Sequence, residues 1–163
     1  MGLHWSHLAP DILDVLFEGT VIPAHPLALD ASRNFDLRHQ RALSRYYLDA
    51  GAGGLAVGVH ATQFAIRETG LYTPVLECAV QTVDDWATRP VAMVGGLNGK
   101  TNQAVIEAET AVAIGYHAGL LSLAAMKGAG EDELIEHCTR IASEIPLVGF
   151  YLQPAVGGIA LGV

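Results

Sequence analysis

Val91-Ala92-Met93-Val94, closed by Gly95-Gly96, is a short apolar run with no polar residue inside it. A run of that kind, bounded by turn residues, suits a strand buried on both faces. Helical signals flank it. Upstream, Thr73-Pro74 places a candidate N-cap before a proline at the first helical position, and Val75, Ala79, Val83 and Trp86 supply an apolar side. Downstream, Thr101 or Asn102 can cap a helix whose Ala104, Ala108 and Ala111 form a small-residue side, and Gly115 ends it. Helix, strand and helix in this order are the signature of parallel strands joined by crossovers.

The pattern recurs in both directions. Thr20-Val21-Ile22 and Gly54-Leu55-Ala56-Val57 are apolar runs upstream; Leu120-Leu121-Ser122-Leu123 and Leu147-Val148-Gly149-Phe150-Tyr151 lie downstream. A helix over residues 36–49 joins the first two, with Leu43, Tyr47 and Ala50 at i, i+4, i+7. Another begins at Glu131-Asp132-Glu133, acids that favour the positive helix N-terminus, and presents Leu134, Cys138, Ile141 and Ile145. A short helix over residues 10–17 precedes the first strand. The prediction is an α/β fold: the N-terminal half of a TIM (β/α)8 barrel, with about five strands and four helices. It forms one partial domain over residues 1–163, with the short helix within residues 1–18.

A doubly wound open sheet is the alternative, and it requires a reversal of strand order. Gly99-Lys100-Thr101 ends like a phosphate-binding loop, but the glycine such a loop needs at position 94 is Val94. Five strands cannot complete the layers of a barrel interior, and both edges would expose unpaired backbone groups. The expectation is therefore a longer natural chain or the association of two copies. The apolar ending Ile159-Ala160-Leu161-Gly162-Val163 favours the longer chain.

The composition is 51% hydrophobic, high for a small soluble domain, and doubly covered parallel strands explain the excess. No stretch reaches the roughly 18 apolar residues of a spanning helix, and without Lys or Arg ahead of a long apolar region a secretory signal is not expected. A net charge of −8 speaks against nucleic acid and its phosphates. Cys78 and Cys138 have no CxxC spacing, so neither a disulfide framework nor a zinc site is expected. A cytoplasmic protein with buried, reduced thiols is the default.

In such barrels the chemistry gathers at the C-terminal ends of the strands. Those ends offer His25; His60, Thr62 and Gln63; Asn98 and Lys100; Lys127; and Tyr151 and Gln153. One His per loop lacks metal-ligand spacing. A metal site on His25 and His60 would need Asp30 or Asn98 as a third ligand. Lys100 and Lys127 are the only lysines, and both sit in Gly-containing loops that suit solvated surface. Tyr151 ends a buried strand, where its hydroxyl needs a partner or a task.

At these residues the chain resembles the dihydrodipicolinate synthase and N-acetylneuraminate lyase family of class I aldolases. The resemblance runs from Gly19-Thr20-Val21-Ile22-Pro23 through the loop between Asp30 and Asp36. It continues through Leu48-Asp49-Ala50-Gly51-Ala52-Gly53-Gly54-Leu55 and ends at Tyr151-Leu152-Gln153-Pro154, similar to the family's Tyr-Asn-Val-Pro. It lies in the order and spacing of these segments. It implies a Schiff-base-forming lyase on a 2-oxo acid, a homo-oligomer and no cofactor, with Tyr151 as catalytic proton relay. The family's carboxylate-holding Gly-Thr-Thr-Gly-Glu corresponds, without a fixed register, to Gly58-Val59-His60-Ala61-Thr62-Gln63-Phe64. His60, Thr62 and Gln63 are thus the substrate-binding candidates.

The departures are informative. Met126 stands where the family has the tyrosine that completes a neighbouring subunit's proton relay. Val156 stands where the synthase has an arginine for a second carboxylate. Loss of that two-point clamp argues against the lysine-pathway reaction. The family's Schiff-base lysine lies one strand beyond Val163, so this segment alone is expected to be inactive. The alternative is a non-catalytic half-barrel, or degenerate family member, that binds a ligand or partner.

Overall fold

Gly54–Val57 (β1) and Ala92–Leu97 (β2) pair in parallel, with Ala56 opposite Val94. Ala118–Leu121 (β3) pairs with β2, and Leu147–Val148 (β4) with β3, again in parallel. The strand order is β1-β2-β3-β4, the order of the chain. The structure is a computed structural model, and it describes residues 2–149. Among them the strand order does not reverse, which removes the doubly wound alternative.

The described residues also form five α-helices: Pro10–Glu18 (α1), Leu37–Asp49 (α2), Tyr72–Trp86 (α3), Thr101–Ile114 (α4) and Glu131–Ala142 (α5). Each of α2 to α5 packs on the next along one face of the sheet. Crossovers of one hand bring this about when a sheet curls toward a barrel. The main core lies between sheet and helices. Leu55, Val57, Met93 and Leu97 meet Val75, Leu76, Ala104, Ala108 and Ala111 there. The small side of α4 is fully buried as expected, and a Cβ at Gly95 would already touch Ala111. The opposite, concave face carries Ala56, Val59 and Val94, with Ile22 and Leu120 against them.

Several expectations change. Lys100, not Thr101 or Asn102, stands at the N-cap of α4, and in α5 His137 rather than Cys138 is buried. The first strand does not form as a regular element. Residues 21–25 instead run beside β1, with Gly53 N–H on Val21 O (3.1 Å), Ala56 N–H on Pro23 O (3.0 Å) and His25 N–H on Ala56 O (2.8 Å). Pro23 and Pro26 have no N–H to continue a ladder. Helix α3 starts at Tyr72, so Thr73 is not its cap; Pro74 falls within the first turn, where its missing N–H costs nothing. The buried positions of α2 are Gln40, Ser44 and Leu48, whereas Ala50 is exposed. The reason is a buried histidine beneath the helix, described below. Residues 150 and 151 of the expected fifth strand, and with them Tyr151, lie outside the described residues, as does Gln153.

Candidate functional site at the C-terminal strand ends

The chain leaves β1 at Gly58 and folds into two consecutive 3-10 turns, His60–Thr62 and Phe64–Arg67, before α3. Gln63 joins them at φ +76°, a left-handed conformation that a non-glycine residue adopts at a cost of order 1–2 kcal/mol. Gly96 closes the space beneath: a Cβ there would collide with the Gly58 carbonyl oxygen and the Val59 nitrogen. The loop after β1 is therefore laid directly on the end of β2.

Two polar clusters hold this arrangement. In the first, His25 is fully buried. Its Nδ1 lies 2.9 Å from Pro26 O, and its Nε2 2.8 Å from Ser44 Oγ. Gln40 Nε2 also lies 2.9 Å from Nδ1, and the Ser44 hydroxyl donates to Gln40 O (3.3 Å), so both ring nitrogens are engaged. Gln40 donates to Pro26 O (3.1 Å) and accepts from Ala28 N–H (2.7 Å). Burial holds the His25 pKa below its ordinary value, and the bond to Pro26 opposes this only partly. The Thr62 hydroxyl donates to His25 O (2.6 Å) and accepts from Gly58 N–H (3.0 Å).

In the second cluster, Arg67 and Glu107 form a buried ion pair, Nε to Oε1 and Nη2 to Oε2, both 2.8 Å. Arg67 also donates to Gly58 O (3.2 Å) and Gly96 O (3.0 Å), the carbonyls at the ends of β1 and β2. Glu107 accepts from Asn98 N–H (3.0 Å) and Gln103 (2.9 Å). The guanidinium lies over the Tyr72 ring, 4.6 Å from its centroid, and Tyr72 donates to Gly96 O (2.9 Å). Burial first, and the Glu107 charge second, raise the Tyr72 pKa far above the ordinary phenol range.

On the concave side of the loop is a cavity of about 220 Å³, lined by Ala24, Val59, His60, Ala61, Phe64, Leu120 and Ser122. His60 is exposed at its rim and stands edge-on to Phe64, with centroids 5.8 Å apart. Ser122 is buried. Lys100 and Lys127 line a different cavity of about 330 Å³, together with Thr101, Met126 and Glu133. Both lysines are exposed, in keeping with the solvated-surface reading.

Of the sequence candidates, then, His60 reaches the cavity. Thr62 is buried under it with its proton engaged by His25 O, so the hydroxyl has no donor left for a carboxylate. Gln63 is exposed beside the cavity but does not line it. The His25 imidazole is occupied by its bonds to Pro26 and to Ser44 and Gln40 of α2, and Asp30 is engaged with Ser32 and Asn34. The three-ligand set suggested for a metal is not assembled there. Among the described residues no group of three His, Cys, Asp or Glu side chains gathers into a metal site.

Sequence reasoning missed Ser122 as a cavity residue, and Arg67 and Glu107 altogether. Glu107 carried a readable signal. It sits on the same helical side as Ala104, Ala108 and Ala111, and an acid on a buried stripe requires a buried partner.

Solved structures share this fold. CdNal from Clostridium difficile, in complex with mannosamine, matches with a TM-score of 0.77 at 18% identity, over 88% of this chain and 49% of that one. A putative dihydrodipicolinate synthetase from Pseudomonas aeruginosa matches at 0.75 and 20% identity, over 87% and 48%. The chain has the fold of half a dihydrodipicolinate synthase-type barrel. YagE from E. coli K12, a prophage protein of the dihydrodipicolinic acid synthase family in complex with pyruvate, gives 0.73 at 19% identity, over 85% and 46%. The chain spans less than half the length of these structures. No protein-family model matches the sequence, and no curated protein matches it. The cavity bearing His60 lies beyond the C-terminal end of β1. Among the described residues no helix is long and apolar enough to cross a membrane.

Proposed function

We propose that this chain supplies the substrate-holding half of a Schiff-base lyase acting on a 2-oxo acid, and not the lysine-pathway synthase. The observation that carries the reading is the placement of His60 and Ser122 on one cavity at the mouth of a synthase-type half-barrel. Both can donate to a carboxylate, whereas the donor of Thr62 is engaged within the loop. Thr62 sets the loop, His60 and Ser122 bind the carboxylate, and Gln63 closes over it from outside. Tyr151 passes protons between the substrate and water.

The amine comes from a lysine on a following strand. It adds to the 2-oxo carbon, water leaves, and the protonated imine accepts the electron pair released when the neighbouring carbon–carbon bond breaks. Lys100 and Lys127 line the other cavity, so neither serves. The working enzyme is a soluble cytoplasmic homo-oligomer without a cofactor. Treatment of the full-length protein with pyruvate and borohydride, followed by mass measurement, tests this. A mass increase on one lysine outside residues 1–163 is expected; no increase across a panel of 2-oxo acids overturns it.

The separation of both lysines from His60 favours one other reading, a non-catalytic half-barrel that binds a ligand or a second copy. A soluble, cooperatively unfolding dimer of the 163-residue chain in sizing and urea titration would support that reading; insoluble aggregate would count against it.

A further inference from the structure

We infer that the cavity beside His60 selects a monocarboxylic acid with an apolar substituent about the size of a phenyl ring, and rejects dicarboxylic and polyhydroxylated acids. The inference extends the proposed function by naming its substrate class, and it rests on that reading only for the 2-oxo group. Among the described residues, five of the seven that line it are apolar: Ala24, Val59, Ala61, Phe64 and Leu120. The two polar ones are His60, exposed at the rim, and Ser122, buried. Among the described residues, Ser122 Oγ accepts from Ala124 N–H (3.4 Å) and no acceptor takes its proton. The described lining thus offers donors for one carboxylate and apolar wall beyond it.

Among the described residues no cation lines the cavity to take a second carboxylate. Arg67 is engaged by Glu107 and by two backbone carbonyls, and the two lysines line the separate cavity. A hydroxyl carried against Val59, Phe64 and Leu120 would lose its water and find no partner. Size agrees with shape. A dry cavity of roughly 150 Å³ lined by apolar side chains accepts a benzene ring, and this one is about 220 Å³.

The test uses acids without a carbonyl, so that no imine can form. Calorimetric titration of the chain with 3-phenylpropanoate, propanoate and succinate should give at least roughly tenfold tighter binding of the first, since buried apolar area drives it. Succinate should bind no better than propanoate. Ala61→Trp, which fills the cavity from a half-buried loop position, should remove the preference; Phe64→Ala, which strips one wall, should reduce it. Equal affinities for the three acids in the unaltered chain, or a preference unchanged in both variants, overturn the inference. Borohydride trapping reads the lyase chemistry separately, so either idea can fall while the other stands.

Discussion

Arg67 and Glu107 are forty residues apart in the chain and meet through two parallel bonds of 2.8 Å across the ends of β1 and β2. Each has further partners: the guanidinium binds Gly58 O and Gly96 O, and the carboxylate takes Asn98 N–H and Gln103. The pair is a rivet through the loop that carries His60. Buried ion pairs contribute little net stability over an apolar replacement, but a lone survivor of such a pair is costly.

Glu107→Ala should therefore destabilise the fold by about 3–5 kcal/mol, by leaving the Arg67 charge buried and unpaired. Urea unfolding measures it. The Arg67→Ala, Glu107→Ala double variant should lose less than the sum of the single losses, because neither charge is then stranded.

Thr62 separates a loop-setting role from a ligand-binding one. Thr62→Val removes a donor from His25 O and an acceptor from Gly58 N–H, and should cost about 1–3 kcal/mol for each group left unpaired. Thr62→Ser keeps both and should stay near the parent. If the hydroxyl served only a bound acid, unfolding of the free protein would not distinguish Val from Ser.

His60→Ala should leave the fold intact, since the ring is exposed, and weaken the bound acid. Loss of one charge-assisted hydrogen bond corresponds to about 1.5–3 kcal/mol, or roughly ten- to 150-fold in affinity. Titration with propanoate reads it directly, and an unchanged affinity would remove His60 from the site.

Gly96→Ala should be among the most damaging small substitutions. Its Cβ would meet the backbone of Gly58 and Val59, neither of which can rotate away. Overpacking of this kind costs about 1–3 kcal/mol, and the loop bearing His60 should shift with it. Thermal melting gives the first quantity, and amide chemical shifts over residues 58–64 the second.

Stability should fall as the solution is acidified below the ordinary histidine value of 6.5. Burial lowers the pKa of His25, His117 and His137 in the folded chain. In the window from 6.5 down to those lowered values the unfolded chain binds more protons, so unfolding is favoured as pH drops. Above 6.5 the three groups are neutral in both states and the slope vanishes. Urea midpoints from pH 8 to 5 should show this, and His25→Gln should flatten part of the slope.

The elements were largely readable from local signals because each depends on residues close in sequence. Val91 to Gly96 carried the signal of a buried strand, and Ala104, Ala108 and Ala111 that of a helix side suited to a sheet. The apolar side of α2 is only its half-buried flank: Leu43 and Tyr47 are partly covered and Tyr47 packs on the core, but the buried positions are Gln40, Ser44 and Leu48. Leu43 and Tyr47 are more apolar than Gln40 and Ser44, yet the latter pair faces inward because His25 needs hydrogen-bond partners there. Periodicity cannot register a partner on another segment.

The site divides in the same way. The position of His60 in the loop after β1 followed from sequence alone, since strand order and loop position place it there. Tertiary structure decided which groups are free to act. The bond from Thr62 to His25 O, the engagement of Arg67 by Glu107, and the exposure of Ser122 to the cavity all join residues distant in the chain. A linear sequence states which polar groups a chain carries, but only packing determines which keep an unused donor once every buried group has found its partner.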